Sequence, residues 1–186
     1  MNILIFLLLL YVSEIIVISC LYRLFGWKGI VFTASLNMAF IAFFGDLSFT
    51  IFGLASNYGN IAYAAVFYGV SLLASEFSFK ETVKIVSIIF FTSFLSLIIS
   101  GHGQLIVASF FSFWLANVIN VIFVQKEKKV LGNIFGQFVD SIIFFPLAFG
   151  SRLPWNIIFQ YLVLGFAIKT TLNILDTPVF FKMKKK

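Results

Sequence analysis

A chain of 186 residues with 61% hydrophobic and only 11% charged side chains has far less charge than the roughly 25% of a soluble domain. It cannot coat a globule with polar surface, which excludes a soluble enzyme and a soluble nucleic-acid binder. Its net charge of +6 is confined to short clusters between apolar runs, the pattern of a multi-pass membrane protein oriented by its positive charges.

Seven apolar runs follow in order, at about 3–22, 30–45, 61–77, 85–100, 105–124, 131–149 and 157–175. Several are shorter than the ~20 residues that cross a bilayer perpendicularly. The first lacks the basic start of a signal peptide, so it reads as a retained span, with neither cleavage nor lipidation expected at Cys20. Glu14, inside it, is expected to face a neighbouring helix or a polar edge. Between the second and third runs, Gly45–Asn60 holds three glycines and alternating apolar residues, which predicts a small hairpin or re-entrant excursion. The other breaks are short. His102, in a Gly-His-Gly turn, reads as a loop residue, and a lone cysteine leaves no disulfide framework or zinc spacing.

Charge distribution orients the spans. With the C-terminal FKMKKK inside, Arg23, Lys28, Lys80, Lys84, Lys126, Lys128, Lys129, Lys182, Lys184, Lys185 and Lys186 all fall on the cytoplasmic side. Those are eleven of the thirteen basic residues; Arg152 falls outside and Lys169 lies within a span. The chain is therefore expected in the plasma membrane with its N-terminus outside and its C-terminus cytoplasmic.

Ionisable groups at bilayer depth cost ~2.5–3.5 kcal/mol even on the mildest scales, so each suggests function. Glu76, Asp140 and Lys169 stand out. Glu76, at the end of its run, has a structural alternative as a boundary carboxylate beside Lys80 or Lys84. Asp140 lies mid-run and shares a helix face with Asn133 and Gln137. Lys169 is best satisfied by an intramembrane carboxylate, Asp140 or Glu76. Asn117 and Asn120 form a polar pair on the fifth run, and Asn117-Val-Ile-Asn120 parallels Gln137-Phe-Val-Asp140 on the sixth. Two antiparallel helices presenting such pairs suggest a substrate site near the midplane. Amides, carboxylates and an ammonium match the edge of a heterocyclic base, and Phe110, Phe111, Phe113, Trp114, Phe135 and Phe138 supply rings for stacking. Interhelical bonding and packing remain the structural alternative for these groups. No nucleophile–base pair, Gly-rich nucleotide motif or metal cluster is visible, so neither catalytic residues nor a cofactor or metal is expected.

VASFFSFWLANVINVIF, GNIFGQFVDSIIFFPLAFG and YGVSLLASEFSF, with the isolated Lys169, resemble segments of the vitamin-uptake-type transporter family that includes the queuosine-precursor transporters. The resemblance spans about 30–180 and is closest over 107–150. It departs where the family has Gln and Asp and this chain has Asn117 and Asn120. It implies an all-α integral membrane fold: a six-helix core over 29–186, similar to the substrate-binding subunits of energy-coupling-factor transporters, preceded by an extra transmembrane helix over 1–28. A core freed of residues 1–25 is expected to keep its substrate affinity. Import of a 7-deazaguanine such as 7-cyano-7-deazaguanine, used to make queuosine or archaeosine in tRNA, is the implied function. Asn37 is then the counterpart of a family Asn, and Asn37, Glu76, Asn117, Asn120, Gln137, Asp140 and Lys169 are the candidate binding residues. The implied partners are a nucleobase and the lipid bilayer, not nucleic acid, with homo-oligomerisation left open. The alternative is a binding subunit serving a separate ATP-hydrolysing module. Such subunits dock through an Ala-x-x-x-Ala face, which the spacing of Ala34, Ala39 and Ala42 does not match.

Overall fold

The computed structural model describes residues 3–44, 47–101 and 105–184; His102, Lys185 and Lys186 lie outside them. The chain is an all-α integral membrane protein. Its long helices are α1 (Ile3–Phe25), α2 (Trp27–Phe44), α3 (Gly59–Glu76), α4 (Phe79–Ile99), α5 (Ile106–Gln125), α6 (Lys129–Phe149) and α7 (Trp155–Leu175). A short α8 (Thr177–Met183) follows α7, where the sequence suggested only a basic tail. Between α2 and α3 sits the expected hairpin, β1 (Ser48–Ile51) paired antiparallel with β2 (Leu54–Asn57). Its turn residues Phe52 and Gly53 have φ of 51° and 77°, the doubly left-handed geometry that matches strand twist in a two-residue loop.

Six of the seven long helices are long and apolar enough to cross a membrane; α3 is not among them. The reason is its position. Sixteen of its 18 residues are buried, because α1, α2, α4, α5 and α7 all pack around it. A helix sheathed by protein meets no lipid and needs no uniformly apolar surface. It can therefore carry Asn60, Tyr63, Tyr68 and Ser71 inside the bundle. The outer helices show the opposite pattern, with a buried stripe on one side only. In α1 the stripe is Leu7, Tyr11, Ile15, Ile18 and Tyr22, spaced by three and four residues as one helix face requires.

Side-chain hydrogen bonds join α1 to the bundle. Ser19 shares a hydrogen bond with Tyr68 at 2.8 Å, and the Tyr22 hydroxyl donates to Glu76 at 2.9 Å. Asn37 of α2 donates to Glu14, and the Tyr11 hydroxyl donates to Asp176 at 2.6 Å. Glu14 thus faces a neighbouring helix.

Helices α5 and α6 pack against each other along most of their length. A Cβ on Gly136 would lie 2.8 Å from the Ala116 carbonyl oxygen and 2.7 Å from the Phe67 ring. A Cβ on Gly132 would lie 2.9 Å from the Asn120 side-chain oxygen. Small residues let membrane helices approach backbone to backbone, where lipid supplies no hydrophobic drive for association.

Candidate functional site

A cleft opens at the hairpin end of the bundle, between the C-terminal halves of α2, α4 and α6, the N-terminal turns of α3 and α5, and α7. It holds about 680 Å³ of empty space, counting its open mouth. Asp140 and Lys169 both line it. Asp140 lies nine residues from the C-terminal end of α6, about 14 Å at 1.5 Å per residue, so the pair lies near the middle of a ~30 Å hydrocarbon core.

The Lys169 ammonium donates to Asp140 Oδ2 at 2.6 Å, and both side chains are buried. The ammonium also lies 5.2 Å from the centre of the Tyr63 ring and 5.7 Å from that of Phe145. Cation–π contacts of this kind strengthen where water is excluded. Of the two carboxylates considered for Lys169, the structure selects Asp140. Glu76 is exposed at the far end of α3, thirteen residues and about 20 Å from Tyr63, and takes a proton donor from Tyr22.

The walls of the cleft are aromatic: Tyr63, Phe113, Phe144, Phe145 and Phe149. Phe145 and Phe149 stack at 6.3 Å between centroids and 25° between planes. Only Phe113 comes from the six rings marked in the sequence for stacking. Phe110, Phe111, Trp114, Phe135 and Phe138 are 38–55% exposed on the bundle exterior, a correction that helical periodicity explains. Phe113 shares a face with Asn117 and Asn120, whereas Phe111 and Trp114 project from α5 at other angles; Phe110, a turn nearer the helix start, packs edge-on against Phe90 of α4 instead.

Below the cleft lies a second polar tier. Asn117, Asn120, Gln137, Ser141 and Asn173 are wholly buried, and Asn133 nearly so. Asn120 donates to the Ser71 hydroxyl at 3.1 Å, and Asn117 returns its amide to the Phe113 carbonyl at 2.8 Å. Yet Asn117 Oδ1, Asn120 Oδ1, Asn133 Nδ2, Ser141 Oγ and both polar atoms of Gln137 have no hydrogen-bond partner among the described residues. The Tyr63 hydroxyl, above them, is likewise unpartnered. Leaving such groups unsatisfied costs about 1–3 kcal/mol each, so the tier is competent to bind water or a polar ligand.

The seven candidate residues therefore separate. Asp140 and Lys169 meet in the cleft; Asn117, Asn120 and Gln137 form the tier beneath it. Asn37 is half-buried and turned to Glu14 on α1, although its neighbours Met38 and Ile41 line the cleft. Tyr63 and Asn60 of α3 reach the cleft without having been marked in the sequence. Their signal was the lower hydropathy of that run, which betrays a helix enclosed by others.

A third polar cluster closes the opposite end. Lys129 forms a buried ion pair with Asp176, donates to the Asn173 carbonyl at 3.2 Å and lies 5.2 Å from the Phe180 ring centre. Lys129 counts with the loop-borne charges in the sequence. The turn of chain from α7 into α8 buries it, because it brings Asp176 and Phe180 over the start of α6.

Residues 97–183, just under half of the chain, match the profile of a family described as "Putative vitamin uptake transporter". That stretch runs from the end of α4 through α8 and contains both Asp140 and Lys169. No curated protein and no solved structure matches the chain significantly.

Proposed function

We propose that the chain is a membrane transporter, not an enzyme, whose cleft takes a flat hydrogen-bonding heterocycle of the 7-deazaguanine class. The family match over 97–183 supports transport. The observation that carries the substrate class is the Asp140–Lys169 pair, buried at mid-depth in an aromatic cleft. An ion pair sets an acceptor beside a donor. A guanine-like edge offers the complement, a carbonyl for the ammonium and adjacent N–H groups for the carboxylate. Hydrogen bonds to charged groups are worth about 1.5–3 kcal/mol, and the rings of Phe145 and Phe149 give the base a stacking surface. The Tyr63 hydroxyl lies beside Asp140 and offers a further contact. In this reading Gln137, Asn117 and Asn120 take up the base or its water as it passes below the ion pair.

Proteoliposomes containing this chain alone should accumulate a labelled 7-deazaguanine, and unlabelled adenine should compete poorly. Absence of specific uptake and of specific binding would refute the reading. Binding without uptake would instead identify a binding subunit that needs an ATP-hydrolysing partner.

A further inference from the structure

Away from the cleft, a groove runs along the outside of the bundle between α1 and the α7–α8 corner. It begins at Leu8, passes Val12 and Ile16, and ends at Arg23 and Lys182. It holds about 1070 Å³ of empty space, counting its open side. From Leu8 to Arg23 is fifteen residues, about 22 Å along the helix. One leaflet with its headgroups is half of the ~40–45 Å bilayer, so the groove spans one leaflet. At its basic end it continues into a second hollow lined by Tyr22, Arg23, Gly26, Lys182 and Met183. The two share Arg23, Lys182 and Met183.

Charge is segregated along this path. The walls near Leu8, Val12 and Ile16 are apolar and about half exposed. Asp176 lies on the groove floor, but it is buried and its charge is already matched by Lys129. Arg23 and Lys182 form no ion pair among the described residues; the Arg23 guanidinium donates only to the Met183 sulfur, at 3.3 Å. Two cations without counter-ions at headgroup level, above a leaflet-long apolar trough, complement one molecule: a phospholipid whose headgroup carries net negative charge.

We propose that this groove is a binding site for a single anionic phospholipid, its acyl chain along α1 and its phosphate between Arg23 and Lys182. The chain's one cysteine, Cys20, lines the groove and is exposed, so it reports occupancy without any mutation. The full chain, purified in mild detergent, is incubated with equal phosphatidylglycerol and phosphatidylcholine and followed by native mass spectrometry and by alkylation of Cys20. One phosphatidylglycerol should be retained in preference, and its addition should slow alkylation. Arg23→Gln with Lys182→Gln should reduce that preference by roughly tenfold or more. Lys126→Gln with Lys128→Gln, which removes equal charge outside the groove, should leave it unchanged. Equal retention of the two lipids, equal effects of the two double variants, or protection of Cys20 by inorganic phosphate alone would each overturn the proposal.

Discussion

Asp140 and Lys169 are each other's counter-ion in a place where neither could stand alone. Removing one partner of a buried pair leaves the other charged and unsolvated, typically at ~3–5 kcal/mol. Lys169→Met should therefore lower both thermal stability and binding, because it strands Asp140. Asp140→Asn is gentler, since it keeps the shape and exchanges one acceptor for a donor. We expect at least about a tenfold loss of affinity for the base, read by isothermal titration or by competition for uptake. The double variant Asp140→Asn with Lys169→Met should recover expression without recovering uptake. Unchanged affinity in Asp140→Asn would make the pair a structural tie. The same scale governs Gly136. Any side chain there meets the Ala116 carbonyl and the Phe67 ring, and one of these contacts is backbone that cannot rotate aside. Gly136→Val should push α5 from α6 and cost about 1–3 kcal/mol, visible as a lower melting temperature of the detergent-solubilised protein.

Among the elements, α1 bears on how separable the core is. A core over 29–186 is the reading the family resemblance implies, yet α1 is hydrogen-bonded to Tyr68, Glu76 and Asp176 and accepts a hydrogen bond from Asn37. The last is the most consequential, because Asp176 also holds Lys129 at the buried start of α6. Tyr11→Phe removes one hydrogen bond to a charged acceptor and should destabilise the protein by about 1.5–3 kcal/mol. Truncation of residues 1–25 should cost more, since it also uncovers the apolar stripe packed on α2 and α3. Binding in the truncated form, tested at a temperature where it remains monodisperse, then separates the two roles of α1. Retained affinity makes it a clamp on the fold, and lost affinity makes it part of the site's support. The cleft itself draws no residue from α1, which favours the clamp.

At the scale of the molecule, polarity is graded from end to end. The cleft and hairpin occupy one end; Lys126, Lys128, Lys129 and α8 occupy the other. The positive-inside rule assigns the basic end to the cytoplasm, so we propose that the cleft opens outward, as an importer requires. In a Cys20→Ser background, Ser151→Cys should react with a membrane-impermeant thiol reagent on intact cells, and Lys126→Cys should react only after permeabilisation. Labelling of both on intact cells would overturn that orientation.

The sequence by itself determined the class of the protein and the existence of its seven long helices, because an apolar run is recognised from local hydropathy without a partner; it did not give every limit, since α4 begins at Phe79, six residues before its apolar run, where Ser78 caps it. It also singled out Asp140 and Lys169, because charge at bilayer depth costs free energy wherever it stands. Tertiary structure decided the rest. Which rings line the cleft depends on helix rotation, and Phe111 and Phe113 are equally apolar although one faces outward and the other inward. Asn117 and Gln137 fall below the cleft because the contact at Gly132 and Gly136 fixes the stagger of α5 on α6, which no pattern within either helix specifies. Lys129 became buried only when α8 brought Asp176 and Phe180 over it. A charge's solvation depends on what packs above it, and that is a property of the folded chain.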